Sequence, residues 1–351
     1  MAVDTAAGAI EFDAIARELA LGERHQHWRG ELASSEDWSE PEKTPSSDET
    51  ARACEHLGVD AEAAAVAVEA AREMERSPSL QRLHRHALWL LFGSRRFPFE
   101  IVWPMLPDAL GASSRMFYLL VLVSALPHVR AEHARLGIPE DISRDTLADV
   151  GRNVQRYRAL HRRPGFDEMN WLSWHFLGRL FQLGRLQFLL SRFWFPLDPN
   201  ASTPPPALAP WEPVLDLHVP ESGPLSPEAC DDSIARAGPF FARHFPEFRY
   251  RGMTILSWLL EPRLAESLDA RSNIVRFQRR FTLVPLAQEM PGNVFKFVFH
   301  EPNQTPSTAD LDALPQRSAL ERAIVAHVRV GGSWSARAGY FVCEAASAPV
   351  P

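Results

Sequence analysis

A histidine and a carboxylate close an apolar run at VLDLHVPESG, where His218 and Glu221 lie three residues apart. At a strand end such a pair can act as a general base toward an incoming amine or hydroxyl. Equally, both can do no more than bond the backbone of a turn. Tyr250 and Tyr340 carry hydroxyls able to protonate a leaving thiolate, or rings that simply pack in their strands. Ser257–Trp258 and Ser272–Asn273 can donate hydrogen bonds to a substrate carbonyl, or satisfy turns and helix caps. In the aromatic run NWLSWHFLGRLFQLGRLQFLLSRF, two readings stand: a central helix packed on both sides, or Trp174, His175 and Arg185 pointing into a site between domains. Cys230, on an apolar helix face, reads as packing rather than as a nucleophile.

Other chemistries find no support. The chain lacks GxxxxGK[ST], GxGxxG after a strand, HExxH and GxSxG, which argues against a P-loop enzyme, a Rossmann oxidoreductase, a zincin and an α/β-hydrolase. A lysine nucleophile would have to be Lys43 or Lys296, the only lysines. Three cysteines without CxxC spacing make neither a disulfide framework nor a zinc knuckle, and a reduced, cytoplasmic setting is expected. His84, His86, His128 and His133 fall on predicted helices. Residues two apart do not share a helix face, so packing or surface roles are expected and no metal site. A net charge of -7 over 351 residues argues against nucleic acid as a partner. No signal-peptide pattern opens the chain, and the apolar run from Met116 to Leu126 is too short to span a bilayer, so no membrane is expected.

The elements that must position these residues fall into two textures. Helical patterns cover 10–21, 48–57, 61–76, 80–92, 113–135, 144–160 and the aromatic run 170–193. Residues 33–50 are Ser/Glu/Pro-rich and read as a surface loop. Six prolines between Pro199 and Pro213 then have the composition of a linker. Beyond it, strands at 214–219, 250–260, 281–286, 294–300 and 340–344 alternate with helices. One helix is capped by Ser226 with Pro227 at its first position; another opens with the capping-box pattern of Ser318 and Glu321. Pro291–Gly292 reads as a hairpin turn. The predicted class is α+β: an all-α domain over 1–198, a linker over 199–213 and a mixed α/β domain over 214–351.

The runs LHVPESGPLSPEACDDSIARAGPFFARHFPE, SWLLEPRL, SNIVRFQRRF and LPQRSALERAIVAHVRVGG, with LGRLFQLGRLQF upstream, resemble a family of bacterial acyltransferase-domain proteins. In that family a helical N-terminal domain precedes a domain related to the GNAT N-acyltransferases. The resemblance implies an acyl group moved from acyl-CoA, or a related thioester, to a small amine. It implies CoA in a V-shaped gap between two parallel strands, with backbone N–H groups polarising the thioester and a helix N-terminus holding the diphosphate. Carried onto this chain, it makes 294–300 the donor-side strand, with Phe297 and Phe299, and the helix near Ser318 its partner. His218 or Glu221 is the implied base and Tyr340 the acid. The usual R/Q-x-x-G-x-G/A loop is missing after 294–300, where the chain reads EPNQTPSTADLDALPQRSALER. That departure leaves two readings: the phosphates are held by arginines such as Arg317 and Arg322, or the chain is a non-catalytic GNAT-like binding or regulatory protein.

Overall fold

The computed structural model describes residues 2–29, 31–32, 44–94, 96–301 and 308–343. The loop expected over 33–50 falls largely outside them, as does part of the segment after His300. Two compact units result, Met1–Arg179 and Leu180–Pro351.

The first unit is helical: α1 (Ala2–Glu18), α2 (Ser47–His56), α3 (Ala61–Glu75), α4 (Pro78–Phe92), α5 (Gly111–Arg135), α6 (Glu140–Leu147), α7 (Asp149–His161) and α8 (Met169–Phe176). Local capping explains several starts. Ser46 and Glu49 form a reciprocal capping box on α2, Asp60 caps α3 and Ser77 caps α4. Helix α5 is apolar on every side, as expected of a helix surrounded by others. Met116 through Val123 are all buried among α2, α3, α4 and α8. It runs through Pro127 to Arg135 and is long and apolar enough to cross a membrane, but most of its apolar stretch is buried inside this unit. The single helix expected over 144–160 is two, α6 and α7, meeting at Ala148. Gly151 explains how α7 docks: its N–H bonds Leu57 O at 3.0 Å, and a Cβ there would sit 2.0 Å from Gly58 O.

The second unit begins earlier than the composition suggests. After α8 the aromatic run leaves the helix and forms a hairpin, β1 (Leu180–Leu183) and β2 (Leu186–Arg192). Gly184, at φ +75°, opens its two-residue turn, in the manner of a type II′ turn. The proline-rich segment is no linker. Leu197 bridges Leu286, Ala207 N–H donates to the Tyr340 hydroxyl at 3.0 Å, and Leu208 is buried beside Phe193, Val214 and Tyr340. Prolines forbid a helix here but not an extended segment packed on a sheet.

There follow β3 (Pro213–His218), α9 (Pro227–His244), β4 (Gly252–Ser257), α10 (Arg263–Ser267), α11 (Asn273–Gln278), β5 (Thr282–Leu283) and β6 (Met290–Pro291), then α12 (Thr308–Ala313), α13 (Ala319–Arg329) and β7 (Ser335–Val342). The sheet order is β1-β2-β3-β4-β7-β5, with β6 also on β7. Among the described residues only β3 and β4 pair in parallel, with α9 as the crossover between them. Phe240 and Phe241 of α9 meet Phe181 and Phe188 on one sheet face. Residues 294–300 are not a strand: Phe295–Phe299 forms a π-helical turn whose Phe295 and Phe299 are buried with Leu264, Ile324 and Trp334. Pro291–Gly292 makes no hairpin, because β6 pairs with β7 instead.

Candidate active site

Strands β3 and β4 are paired only at Val214–Gly252, Leu215–Met253 and Asp216–Thr254. Beyond that point each keeps its outer partner. β3 stays paired with β2 as far as His218, and β4 with β7 as far as Ser257. The two parallel strands therefore part toward their C-terminal ends, which opens a gap in the middle of the sheet. Backbone groups on that side of each strand no longer face a paired neighbour strand.

Polar side chains gather beside this gap. Because alternate residues of a strand share a face, Asp216 and His218 lie together on the side away from α9. Thr254 is the register partner of Asp216 and donates its hydroxyl hydrogen to Asp216 Oδ1 at 2.8 Å. Asp216 Oδ2 lies 3.2 Å from His218 Nε2. Gln187 is the register partner of His218 and Gln182 that of Gln187, so a polar row crosses β1, β2 and β3 beside the Asp216–Thr254 pair. These residues are buried except His218, which is partly exposed. A buried carboxylate behind a partly exposed imidazole orients the ring.

The segment after His218 leads into α9. Ser226 accepts a hydrogen bond from Ala229 N–H and caps the helix, with Pro227 at its first position. Arg280 donates to Pro227 O at 3.1 Å and pairs with Asp231, and Arg276 lies 3.8 Å from Glu228. Basic side chains from α11 and the residues just after it thus stand beside the start of α9, paired with its acidic residues. The loop over 219–226 has one glycine, Gly223, at φ +65°. Arg185, from the β1–β2 turn, donates to the carbonyl oxygens of Pro220 and Pro224 at 3.0 Å and Gly223 at 3.2 Å.

Comparison with known families now decides the class. Residues 48–178 match the N-acyltransferase N-terminal domain, and residues 180–341 match the GNAT-like C-terminal domain. Two similar solved structures are an acyltransferase in complex with decanoyl-CoA and teicoplanin and an acyltransferase variant in complex with octanoyl-CoA. Each is 35% identical and is matched over 95% of this chain and 99% of its own, with TM-scores of 0.82 and 0.81. A third, in complex with CoA and 10C-teicoplanin, is also 35% identical with the same coverage and a TM-score of 0.81. The chain belongs to this family of GNAT-like acyltransferases. Comparison with curated proteins returned no match.

In the acyltransferase, the residues singled out from sequence separate into two groups. His218 stands at the parting strands, and Glu221 is exposed on the following loop. Asp216 and Thr254 complete that group and were missed. The signal for Asp216 was present, since D-x-H in a strand puts both side chains on one face. The second group is committed elsewhere. Ser257 and Ser272 each cap a helical turn, accepting from Leu259 and Val275 N–H, and Asn273 is exposed at the first position of α11. Trp258 packs against the C-terminal cluster. Tyr340 is nine-tenths buried, and its hydroxyl is bonded to the proline-rich segment. Burial pushes the Tyr250 hydroxyl up to about 12. Arg317 is exposed next to the α13 cap, and Arg322 donates to Gln316 O and Arg317 O. With 294–300 helical, Phe297 and Phe299 line no strand of a parallel pair. Arg185 is engaged by backbone carbonyls.

His175 is fully buried within the helical unit, with Nε2 3.3 Å from Asp149 Oδ2. Trp171 Nε1–H and Arg152 also bond that carboxylate. Burial works to raise the Asp149 carboxyl, but His175 and Arg152 outweigh it and hold it well below the ordinary carboxylate range. Among the described residues no group of three His, Cys, Asp or Glu could hold a metal ion. Cys230 is buried, and burial raises its thiol.

Proposed function

We propose that this acyltransferase moves an acyl group from acyl-CoA to an amine, with the gap between β3 and β4 as the donor site and His218 as the general base. The observation that carries the reading is the His218–Asp216 contact standing where the two parallel strands part. A parting parallel pair followed by a capped helix is the arrangement expected to take a CoA thioester and its diphosphate. The start of α9, capped by Ser226, fits an anion. The structural neighbours bound to decanoyl-CoA and octanoyl-CoA support a medium-chain donor. They also favour an amine carried on a glycopeptide-class acceptor over a small free amine.

Acyl-CoA supplies the activated acyl carbon, and the protein supplies base and orientation. With Nε2 turned to Asp216, His218 takes the acceptor's proton at Nδ1. The amine nitrogen then bonds the acyl carbon, the carbon–sulfur bond breaks, and the thiolate leaves with the electron pair of that bond. Asp216 stabilises the imidazolium, and Thr254 fixes Asp216. Backbone N–H groups of β4 beyond Thr254 can donate to the thioester oxygen.

The test is to incubate the protein with octanoyl-CoA or decanoyl-CoA and an amine-bearing glycopeptide. Free thiol and product mass are followed together. Thiol release coupled to acylated product is expected. No release above the blank with any acyl-CoA from short to long chain would sink the reading.

A further inference from the structure

We propose that Arg185 is a positioning residue that shapes the β3–α9 loop for the donor's diphosphate, doing by hydrogen bonding what glycines do in a glycine-rich phosphate loop. The inference rests on the donor site placed above. Three guanidinium nitrogens each meet a different loop carbonyl: Nη1 on Pro220, Nη2 on Gly223 and Nε on Pro224. No peptide bond among the described residues is cis. In a trans peptide plane the N–H points opposite to the C=O. Turning the carbonyls of Pro220 and Pro224 toward Arg185 therefore turns the N–H groups of Glu221 and Leu225 away from it. The plane between Gly223 and Pro224 carries no N–H at all, and the Ser222 N–H is spent on Pro220 O. The loop thus turns those N–H groups to the face away from the arginine and gathers three carbonyl dipoles on the other. Those carbonyls would repel an anion if they turned outward.

The arginine itself is fixed. It occupies the second position of the β1–β2 turn, after Gly184. Its backbone N–H and that of Leu186 both donate to Ser233 Oγ, at 2.7 and 3.2 Å, and Ser233 donates to Ala229 O one turn below. The hairpin tip, the loop and the first turns of α9 form one hydrogen-bonded unit. A lysine offers a point charge and cannot span three carbonyls in a plane.

The experiment compares two donors in wild type, Arg185→Ala and Arg185→Lys: octanoyl-CoA, and octanoyl-pantetheine, which lacks the diphosphate. Both variants are expected to lose about ten- to a hundredfold in kcat/KM for octanoyl-CoA through KM. For octanoyl-pantetheine, kcat/KM should stay within about twofold of wild type, since nothing in that donor reaches the loop's donors. Equal losses on both donors, or no loss on octanoyl-CoA, overturn the assignment. Should Arg185→Ala fail to fold, Arg185→Lys alone decides. Wild type inactive with either donor would instead remove the proposed function.

Discussion

Two histidine environments set the halves of this molecule apart. In the helical unit His84, His86 and His133 are buried among apolar side chains. His84 meets Leu120 O and Ser124, His86 stacks on Trp89, and His133 bonds Ser143. Burial pushes His84 and His133 down to about 4 and His86 to about 3. These rings are neutral packing units at any ordinary pH. In the sheet unit His218 keeps a quarter of its side chain exposed and has Asp216 behind it. The difference is one of place. His84, His86 and His133 are buried, whereas His218, at the end of a parting strand, has Asp216 beside a partly exposed ring.

The largest effect should come from breaking the second environment. His218→Ala is expected to lower kcat by about a hundred- to ten-thousandfold, with the melting temperature little changed. Asp216→Asn should cost less, about ten- to a hundredfold, because the base survives without its orienting charge. The control from the first environment is His86→Leu, which should leave kcat within about twofold. Steady-state rates of thiol release measure all three. A His218→Ala variant as active as wild type would erase the contrast between the two histidine classes.

The buried histidines should show themselves in stability instead. Their folded pKa values lie below the unfolded value, so the unfolded chain binds more protons as pH falls. The stability they confer is complete above about pH 6.5 and is lost progressively toward pH 4, and toward pH 3 for His86. From pH 7 to pH 5 each should cost roughly 2 kcal/mol. Asp149 is lowered instead, so its contribution is lost only below about pH 4, outside that window. Denaturant midpoints at pH 7 and pH 5 measure the loss. His86→Leu should shrink the difference by its own share, and an unchanged pH dependence in that variant would place the acid sensitivity elsewhere.

What the sequence made legible follows from which interactions are local. Ser226–Pro227–Glu228 and the Ser318–Glu321 box announced their helices because a cap is written within four residues. His218 was visible for the same reason, as a histidine ending an apolar run. The pairing partners were not visible, since nothing near Leu217 says that β3 leaves β4 after Asp216. Short apolar runs also fit either period. Residues 180–192 read as helix, although Gly184 between LFQL and LQFLL was a turn signal. Residues 294–300 read as a strand after a Pro291–Gly292 turn, yet Phe295–Phe299 forms a π-helical turn. The prolines before Pro213 suggested a linker because composition reports what a segment cannot form, not what it packs against.

Helix caps offer the smallest and sharpest comparison between the units. Ser46 starts α2 and Ser226 starts α9, both by accepting a backbone N–H into the turn. Replacing either by alanine should cost about 1 kcal/mol, seen as similar shifts in the denaturant midpoint. Their functional consequences should differ. Only α9 begins at the loop that follows His218 into the proposed diphosphate site. Ser226→Ala should therefore raise KM for octanoyl-CoA by about two- to fivefold while kcat holds, because fraying the first turn disperses the N–H groups aimed at the anion. Ser46→Ala should leave both constants unchanged at the same loss of stability. Equal KM values in the two variants would mean that the start of α9 supports the fold but not the donor.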